Sequence, residues 1–192
     1  MKKIGLTGIM GSGKTYVADV FHTLGVPIFN ADLQSKKILD SSLKIQKLIK
    51  KEFGADVFVN NILDKKRLAD VVFTDNDKLD FLNKILHPLV KKSFEDWVLE
   101  QDSEYVIKES AILFESNSHK DLHKIICVTA SLEICFQRIF KRDNVTRKDI
   151  QNRLAHQMSS IEKEKRSDYV IFNNENNMIL EQVLKIHKSL MI

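Results

Sequence analysis

The chain reads as an α/β fold: a five-stranded parallel sheet flanked by helices, with a helical insertion and a helical lid. Three observations predict it. Five short apolar runs recur along the 192 residues. Stretches with helical spacing separate them, and the first run leads directly into a glycine-rich loop followed by a helix. Strands covered on both faces read as continuous apolar runs, and helices between them imply parallel order.

The first strand is Lys3-Ile4-Gly5-Leu6-Thr7. Gly8-Ile9-Met10-Gly11-Ser12-Gly13-Lys14-Thr15 follows, a complete G-x-x-x-x-G-K-[ST] phosphate-binding loop. Strand, glycine loop and helix in that order is the setting this motif requires. The helix runs from Tyr16 to Leu24 on Val17, Val20, Phe21 and Leu24. Of the six glycines, four (Gly5, Gly8, Gly11, Gly13) crowd this region, where backbone amides must approach a phosphate chain. The helix N-terminus favours an anion. Lys14 can reach the β/γ-phosphates, and Thr15 can offer its hydroxyl to Mg²⁺.

Val26-Pro27-Ile28-Phe29 predicts the second strand, ending at Asn30-Ala31-Asp32. A long charged helical region then runs to about Gln101. Its apolar positions recur at three and four (Ile38, Leu39, Leu43; Ile45, Leu48, Ile49; Leu79, Leu82, Leu86, Val90), with turns between helices at Gly54 and Asn60-Asn61. Tyr105-Val106-Ile107 is the third strand and Ile125-Ile126-Cys127-Val128 the fourth. Leu132 to Phe140 is a helix. Lys141 to Arg166 is charge-dense and reads as a mobile helical lid anchored by Ile150 and Leu154. Tyr169-Val170-Ile171-Phe172 is the fifth strand, closed by the turn-rich stretch Asn173 to Asn177, and an amphipathic helix from Ile179 to Leu190 ends the chain.

A single domain is expected, with core 1–32, 102–137 and 167–192, a substrate-binding insertion at 33–101 and a lid at 138–166. Ligands of such sheets bind at the carboxyl ends of the strands. Three segments leave those ends toward the loop: Asn30-Ala31-Asp32, the stretch Ala111 to Glu115, and the residues after Asn173.

Composition narrows the partners. Hydrophobic residues are 43% and charged residues 29%, with a net charge of +4. That mild excess suits a polyanionic small molecule. It does not suit nucleic acid, since no basic run is interleaved with aromatics. Glycines break the apolar stretch after Lys2-Lys3, so no leader is expected, and no run of 18 apolar residues predicts a membrane span. Cys127 and Cys135 sit in an apolar strand and an apolar helix face. They read as buried thiols of a reducing compartment, which places the protein in the cytoplasm.

The loop alone fits switches, motors, transporters and kinases. Gly25 and Gly54 lack an aspartate three residues earlier, so a GTP switch finds no γ-phosphate contact; a transporter signature would need adjacent glycines, and none exist. A small-molecule kinase needs a substrate lobe, a carboxylate near the acceptor hydroxyl, and lid arginines that neutralise the transferring phosphoryl group. Asp32 is the leading carboxylate, with a helix N-cap as its structural alternative. Arg138 and Arg142 lie four apart, on one helix face, with Arg147 and Arg153 beyond them. His119 and His123 are also four apart and read as surface histidines.

These residues resemble the dephospho-CoA kinase family nearly end to end, and so imply a P-loop kinase fold. The resemblance rests on Gly5-Leu6-Thr7-Gly8 with Gly11 to Thr15, Leu24-Gly25-Val26-Pro27 leading to Ala31-Asp32, and Leu86-His87-Pro88-Leu89. It continues through Leu113-Phe114-Glu115, Gln137-Arg138, Arg142-Asp143, Thr146-Arg147, Gln157, and Asp168-Tyr169-Val170-Ile171 with Asn173. The chain departs from the family pattern at Ile9, at Asn30 (usually aspartate), at Ala111 (usually proline) and at Glu175 (commonly glycine).

The resemblance implies transfer of the ATP γ-phosphate to the ribose 3′-hydroxyl of dephospho-CoA, giving CoA and ADP. Asp32, Lys14 and Arg138 would be catalytic. Gly11, Ser12, Gly13, Lys14, Thr15, Tyr16 and Arg142 would bind the nucleotide, with Thr15 on Mg²⁺. Asp32, His87 and Glu115 would serve the substrate, although His87-Pro88 also fits a helix-turn packing device and Glu115 a helix cap. A monomer acting on ATP and dephospho-CoA is expected. Another small-molecule or nucleoside kinase, or a nucleotide-binding regulatory protein that has lost catalysis, is the alternative.

Overall fold

The computed structural model describes residues 1–192 except Phe73, Glu175 and Ile192. Glu175, one of the departures named above, therefore lies outside the described residues. The chain divides into two compact units, one made of Met1–Asn30 and Trp97–Ile192, the other of Ala31–Asp96.

In the first unit β1 (Lys2–Thr7) leads through the glycine loop into α1 (Lys14–Thr23), and β2 (Ile28–Asn30) follows. The second unit opens with α2 (Ala31–Ser41) and α3 (Leu43–Phe53). It continues with β3 (Phe58–Val59), β4 (Ile62–Leu63) and α4 (Lys65–Val72). The long helix α5 (Asn76–Leu99) returns the chain to the first unit. There follow β5 (Tyr105–Glu109), β6 (Lys124–Thr129), α6 (Leu132–Asp143), α7 (Arg147–Ala155), α8 (Ser160–Lys165), β7 (Tyr169–Phe172) and α9 (Ile179–Leu190).

Five parallel strands form one sheet in the order β2-β5-β1-β6-β7. From β1 the chain first builds one side of the sheet, β2 and β5, and later the other, β6 and β7. The crevice where strand order diverges therefore opens at the carboxyl end of β1, where the glycine loop begins. The strands are apolar because the sheet is covered. Ile4, Leu6, Val106, Ile107, Ile126 and Val128 are all fully buried. Val17 and Phe21 of α1 and Val183 and Ile186 of α9 join Ile4, Leu6, Ile107 and Val128 in one cluster. Against the other side of β1, Leu113 and Leu122 occupy the space that a side chain at Gly5 would need. Charge enters this pattern at the end of β5, where Lys108 and Glu109 are both buried.

The charge-dense segment after β6 folds as short capped helices. Ser131 caps α6, Thr146 and Asp149 form a capping box on α7, and Ser159 caps α8. Such caps satisfy first-turn amides that have no acceptor within their own helix. The segment is less uniformly superficial than its composition predicts, because Ile150 and Lys163 are both fully buried.

The second unit packs Leu39, Ile45, Ile49, Val57, Leu63, Leu68, Val72, Leu82 and Leu86 into its own core. Two details depart from expectation. Asn60-Asn61 is not a turn between helices. Both residues have positive φ, 51° and 63°, and they connect β3 to β4 as an antiparallel hairpin. His87-Pro88 is not a helix turn either, because Pro88 lies inside α5.

Gly8 shows how tightly the loop leaves β1. Its φ is +150°, and a Cβ there would lie 2.2 Å from the Val128 carbonyl oxygen of β6. That neighbour is backbone inside a sheet and cannot yield. Gly8→Ala should therefore cost about 2 kcal/mol or more through strain and contact, lowering the melting temperature by roughly 4–8 °C in a chain of this size. A melting curve superimposable on the parent's would show that the loop can move off the sheet.

Candidate active site

The loop closes on itself before α1 begins. The Ser12 amide donates to the Ile9 carbonyl at 3.2 Å, and the Lys14 Nζ donates to the same oxygen, also at 3.2 Å. Lys14 is buried, so its ammonium is held over the loop rather than in solvent. Gly13, with φ +93°, is the residue before α1 and has no side chain to cap it. The first-turn amides of α1 have no intrahelical acceptor, and they form the anion-binding end of the helix.

One carbonyl fixes this arrangement. The Ser12 oxygen accepts from Asn173 Nδ2 at 2.8 Å and from Arg138 Nη1 at 3.4 Å. Arg138 Nη2 also donates to the Asn173 carbonyl at 3.1 Å, and the Asn173 amide donates to Thr129 at 2.7 Å. Strand β7, helix α6 and the loop thus meet at one point. Gly13 is required there, because a Cβ would lie 2.0 Å from Asn173 Nδ2. Arg138 is seated on the loop itself, at the carbonyl two residues before Lys14.

A second polar centre lies at the buried end of β5. Glu109 Oε1 accepts the Thr15 hydroxyl at 2.8 Å, and Oε2 accepts Asn30 Nδ2 at 2.7 Å. Asn30 and Glu109 are register partners across β2 and β5. A carboxylate can only accept, so the single Thr15 hydroxyl proton points at Glu109 and the oxygen lone pairs point elsewhere. An outward-facing hydroxyl oxygen beside a buried anion is a donor set suited to a hard divalent cation. Glu109 lies outside every motif of the sequence. The available signal was a Lys-Glu pair that directly continues a buried strand.

A third link joins the loop to the segment after α7. The Met10 amide donates to Gln157 Oε1 at 3.0 Å. The next amide, Met158, donates to Glu115 Oε1 at 2.7 Å. Lys163 Nζ contacts both Glu115 oxygens, at 2.7 and 2.9 Å, and donates to the Ala111 carbonyl at 2.9 Å. Glu115 was expected on the substrate side. In the structure its carboxylate meets a fully buried lysine and a backbone amide, and it braces the loop after β5. Lys163 lies in a charged stretch and meets Glu115 only through the fold.

The remaining expected residues divide. Arg142 forms a bidentate pair with Asp143, at 2.6 and 2.9 Å, rather than sharing the Arg138 seat. Arg153 approaches the same Asp143 at 3.7 Å, and Arg147 stacks over Phe136 at 4.8 Å. Tyr16 is exposed on α1. Asp32 and His87 lie in the second unit, Asp32 in the first turn of α2 and His87 within α5. Because α2 begins at Ala31, Asp32 is inside the helix rather than at its N-cap. His119 packs on Phe114 at 5.1 Å, and His123 Nδ1 accepts the Lys3 amide at 2.9 Å, so each imidazole has a structural contact. Cys127 and Cys135 are buried free thiols, and burial pushes Cys127 up to about 12. Among the described residues no helix is long and apolar enough to cross a membrane.

The dephospho-CoA kinase family model matches residues 2–178. A dephospho-CoA kinase of Bacteroides fragilis is 36% identical over 185 residues, 96% of this chain and 90% of that protein. One from Porphyromonas gingivalis is 33% identical over 187 residues, covering 97% and 93%. The crystal structure of TT1252 from Thermus thermophilus superposes with a TM-score of 0.87 at 30% identity, covering 98% of this chain and 96% of that one. The chain belongs to the dephospho-CoA kinase family. It is an ATP-dependent kinase with the P-loop kinase fold, and its acceptor is dephospho-CoA. Neither a different acceptor nor a loss of catalysis gains support.

The Lys163–Glu115 pair has a measurable consequence. Lys163→Met would leave the carboxylate under cover without its cation, a loss of roughly 3–5 kcal/mol for a buried pair. Melting should fall by about 6–20 °C, and Glu115→Met in the same chain should restore most of it. A single variant that melts like the parent would mean the pair contributes no more than a surface contact.

Proposed function

We propose that Lys14, Arg138 and Asp32 carry out the phosphoryl transfer, with Thr15 and Glu109 serving the divalent ion. The observation that carries the proposal is the Ser12 carbonyl clamp, which seats Arg138 on the loop just ahead of α1, the helix that Lys14 opens. Two cations and a row of orphan amides at one helix end suit the β- and γ-phosphates of ATP. Charge developing on the transferring group is stabilised best by donors already in place. Gly11, Ser12, Gly13 and Thr15 contribute backbone at the same place, and Tyr16 flanks it on α1.

Mg²⁺ would be held by the Thr15 oxygen, with Glu109 keeping the hydroxyl proton turned away. When bound it would neutralise phosphate charge. Asp32, two residues beyond the last residue of β2, would accept the hydrogen of the ribose 3′-hydroxyl as that oxygen bonds to the γ-phosphorus and ADP departs. His87 would serve the substrate side from α5. Arg142, paired with Asp143 here, would join the nucleotide only by exchanging that partner. The segment from Asn144 to His156, between the Arg138 and Gln157 attachments, would be the moving part of the lid. A monomer in the cytoplasm suits a chain with buried thiols and small-molecule substrates.

The substitution Asp32→Asn separates catalysis from structure. It keeps the side-chain shape in the first turn of α2 and removes the base. Turnover with ATP and dephospho-CoA should fall on the order of a hundredfold or more, with nucleotide binding retained and melting nearly unchanged. Parental turnover would remove Asp32 from the chemistry.

A further inference from the structure

The Ile9 carbonyl and the Met10 amide belong to one peptide group, and both ends of it are engaged. The oxygen accepts from the Ser12 amide and from Lys14 Nζ, each at 3.2 Å. The N–H donates to Gln157 Oε1 at 3.0 Å. No peptide bond among the described residues is cis. In a trans peptide the N–H and the C=O point to opposite sides of the chain. A partner that draws the N–H one way therefore aims the oxygen the other way, toward Lys14. Turning the group over would part the amide from Gln157 and the oxygen from Ser12 and Lys14 at once.

Gln157 starts from backbone that is tied on both sides. Its own amide donates to the Leu154 carbonyl of α7 at 3.0 Å. The following amide, that of Met158, donates to Glu115 Oε1 at 2.7 Å, and Glu115 meets the fully buried Lys163. The side chain that reaches the loop is thus carried by the fastened end of the lid segment. An amide oxygen suits the place, because it accepts the N–H without setting a negative charge beside a loop that receives phosphate.

We infer that Gln157 is a positioning residue for the kinase reaction. By holding the Ile9–Met10 peptide it fixes the oxygen that the Lys14 ammonium meets. It does so from outside the phosphate-binding loop, 147 positions along the chain. The inference rests on the assignment of Lys14 to the transferring phosphate, and its test has an arm that does not.

Methionine-selective ¹⁵N labelling of the full chain reads the bond directly, because Met10 and Met158 are two of the five methionines. The Met10 signal is identified by its loss in Met10→Leu. In Gln157→Leu the Met10 amide proton should move upfield and exchange faster with solvent. The Met158 signal should keep its place and report an intact brace. In steady-state turnover, kcat/KM for ATP should fall about tenfold while KM for dephospho-CoA stays within about twofold, because a small misplacement of one charged group weakens the phosphate end of the site. In a Lys14→Ala background the same change should cost less than about twofold, since residues that act through a shared group are not additive. Gln157→Ala supplies the reading if Gln157→Leu folds poorly, as its melting curve and Met158 signal would reveal. An unmoved Met10 signal in a folded variant would overturn the inference. So would parental kcat/KM with the signal moved, or an equal fold-loss with and without Lys14. Parental turnover of Lys14→Ala alone is a separate result, which would overturn the assignment of Lys14 itself.

Discussion

The arrangement depends on the hydrogen bonding of one backbone carbonyl, that of Ser12. A glycine-rich loop has little intrinsic preference for any one shape, and an unpaired buried carbonyl would cost on the order of 1–3 kcal/mol. Asn173, at the end of the edge strand β7, supplies the satisfying donor, and Arg138 adds a second from α6. The loop is thereby fixed to the sheet from the side opposite Glu109. Lys14, Thr15 and the α1 amides inherit their positions from it. Preorganisation of this kind is what electrostatic catalysis requires, because the donors need not reorganise as charge develops.

The ends of the strands carry the polar groups, and the reason is geometric. Along its length the sheet is covered on both faces and accepts only apolar side chains. At the carboxyl ends cover gives way to loops, and Asn30, Glu109, Thr129 and Asn173 can each meet a partner. Thr129 illustrates this outside the site: its hydroxyl donates to Glu164 at 2.6 Å, and Ser160 shares the same carboxylate oxygen. This bond joins α8 to β6, while Lys163 joins α8 to the loop after β5. The C-terminal end of the segment expected as a lid is therefore fastened to the core.

Much of this was legible in the sequence because the informative features are local. The phosphate loop is contiguous. The five apolar runs give strands close to those observed, and β7 and α9 match residue for residue. Local pattern could not show what depends on register or long-range meeting. Glu109 looks like a surface residue at the end of a strand until pairing places Asn30 opposite it. Lys163 looks like one charge among many until the fold brings Glu115, 48 positions away, into contact. The β3–β4 hairpin has two residues per strand, too short for period-two alternation to stand out from helical spacing. Pro88 within α5 goes against the usual rule that proline ends a helix, and only the apolar spacing from Leu86 to Val90 signals that the helix continues.

The claim at the centre is that a loop held rigid by its neighbours presents Lys14 to the transferring phosphate. The most direct test is steady-state turnover of Lys14→Ala with ATP and dephospho-CoA, measured beside its melting curve. Loss of a preorganised cation should lower kcat by about two orders of magnitude or more. Melting should change little, because the Ser12 clamp that holds the loop is untouched. Near-parental turnover in a protein of parental stability would contradict the account.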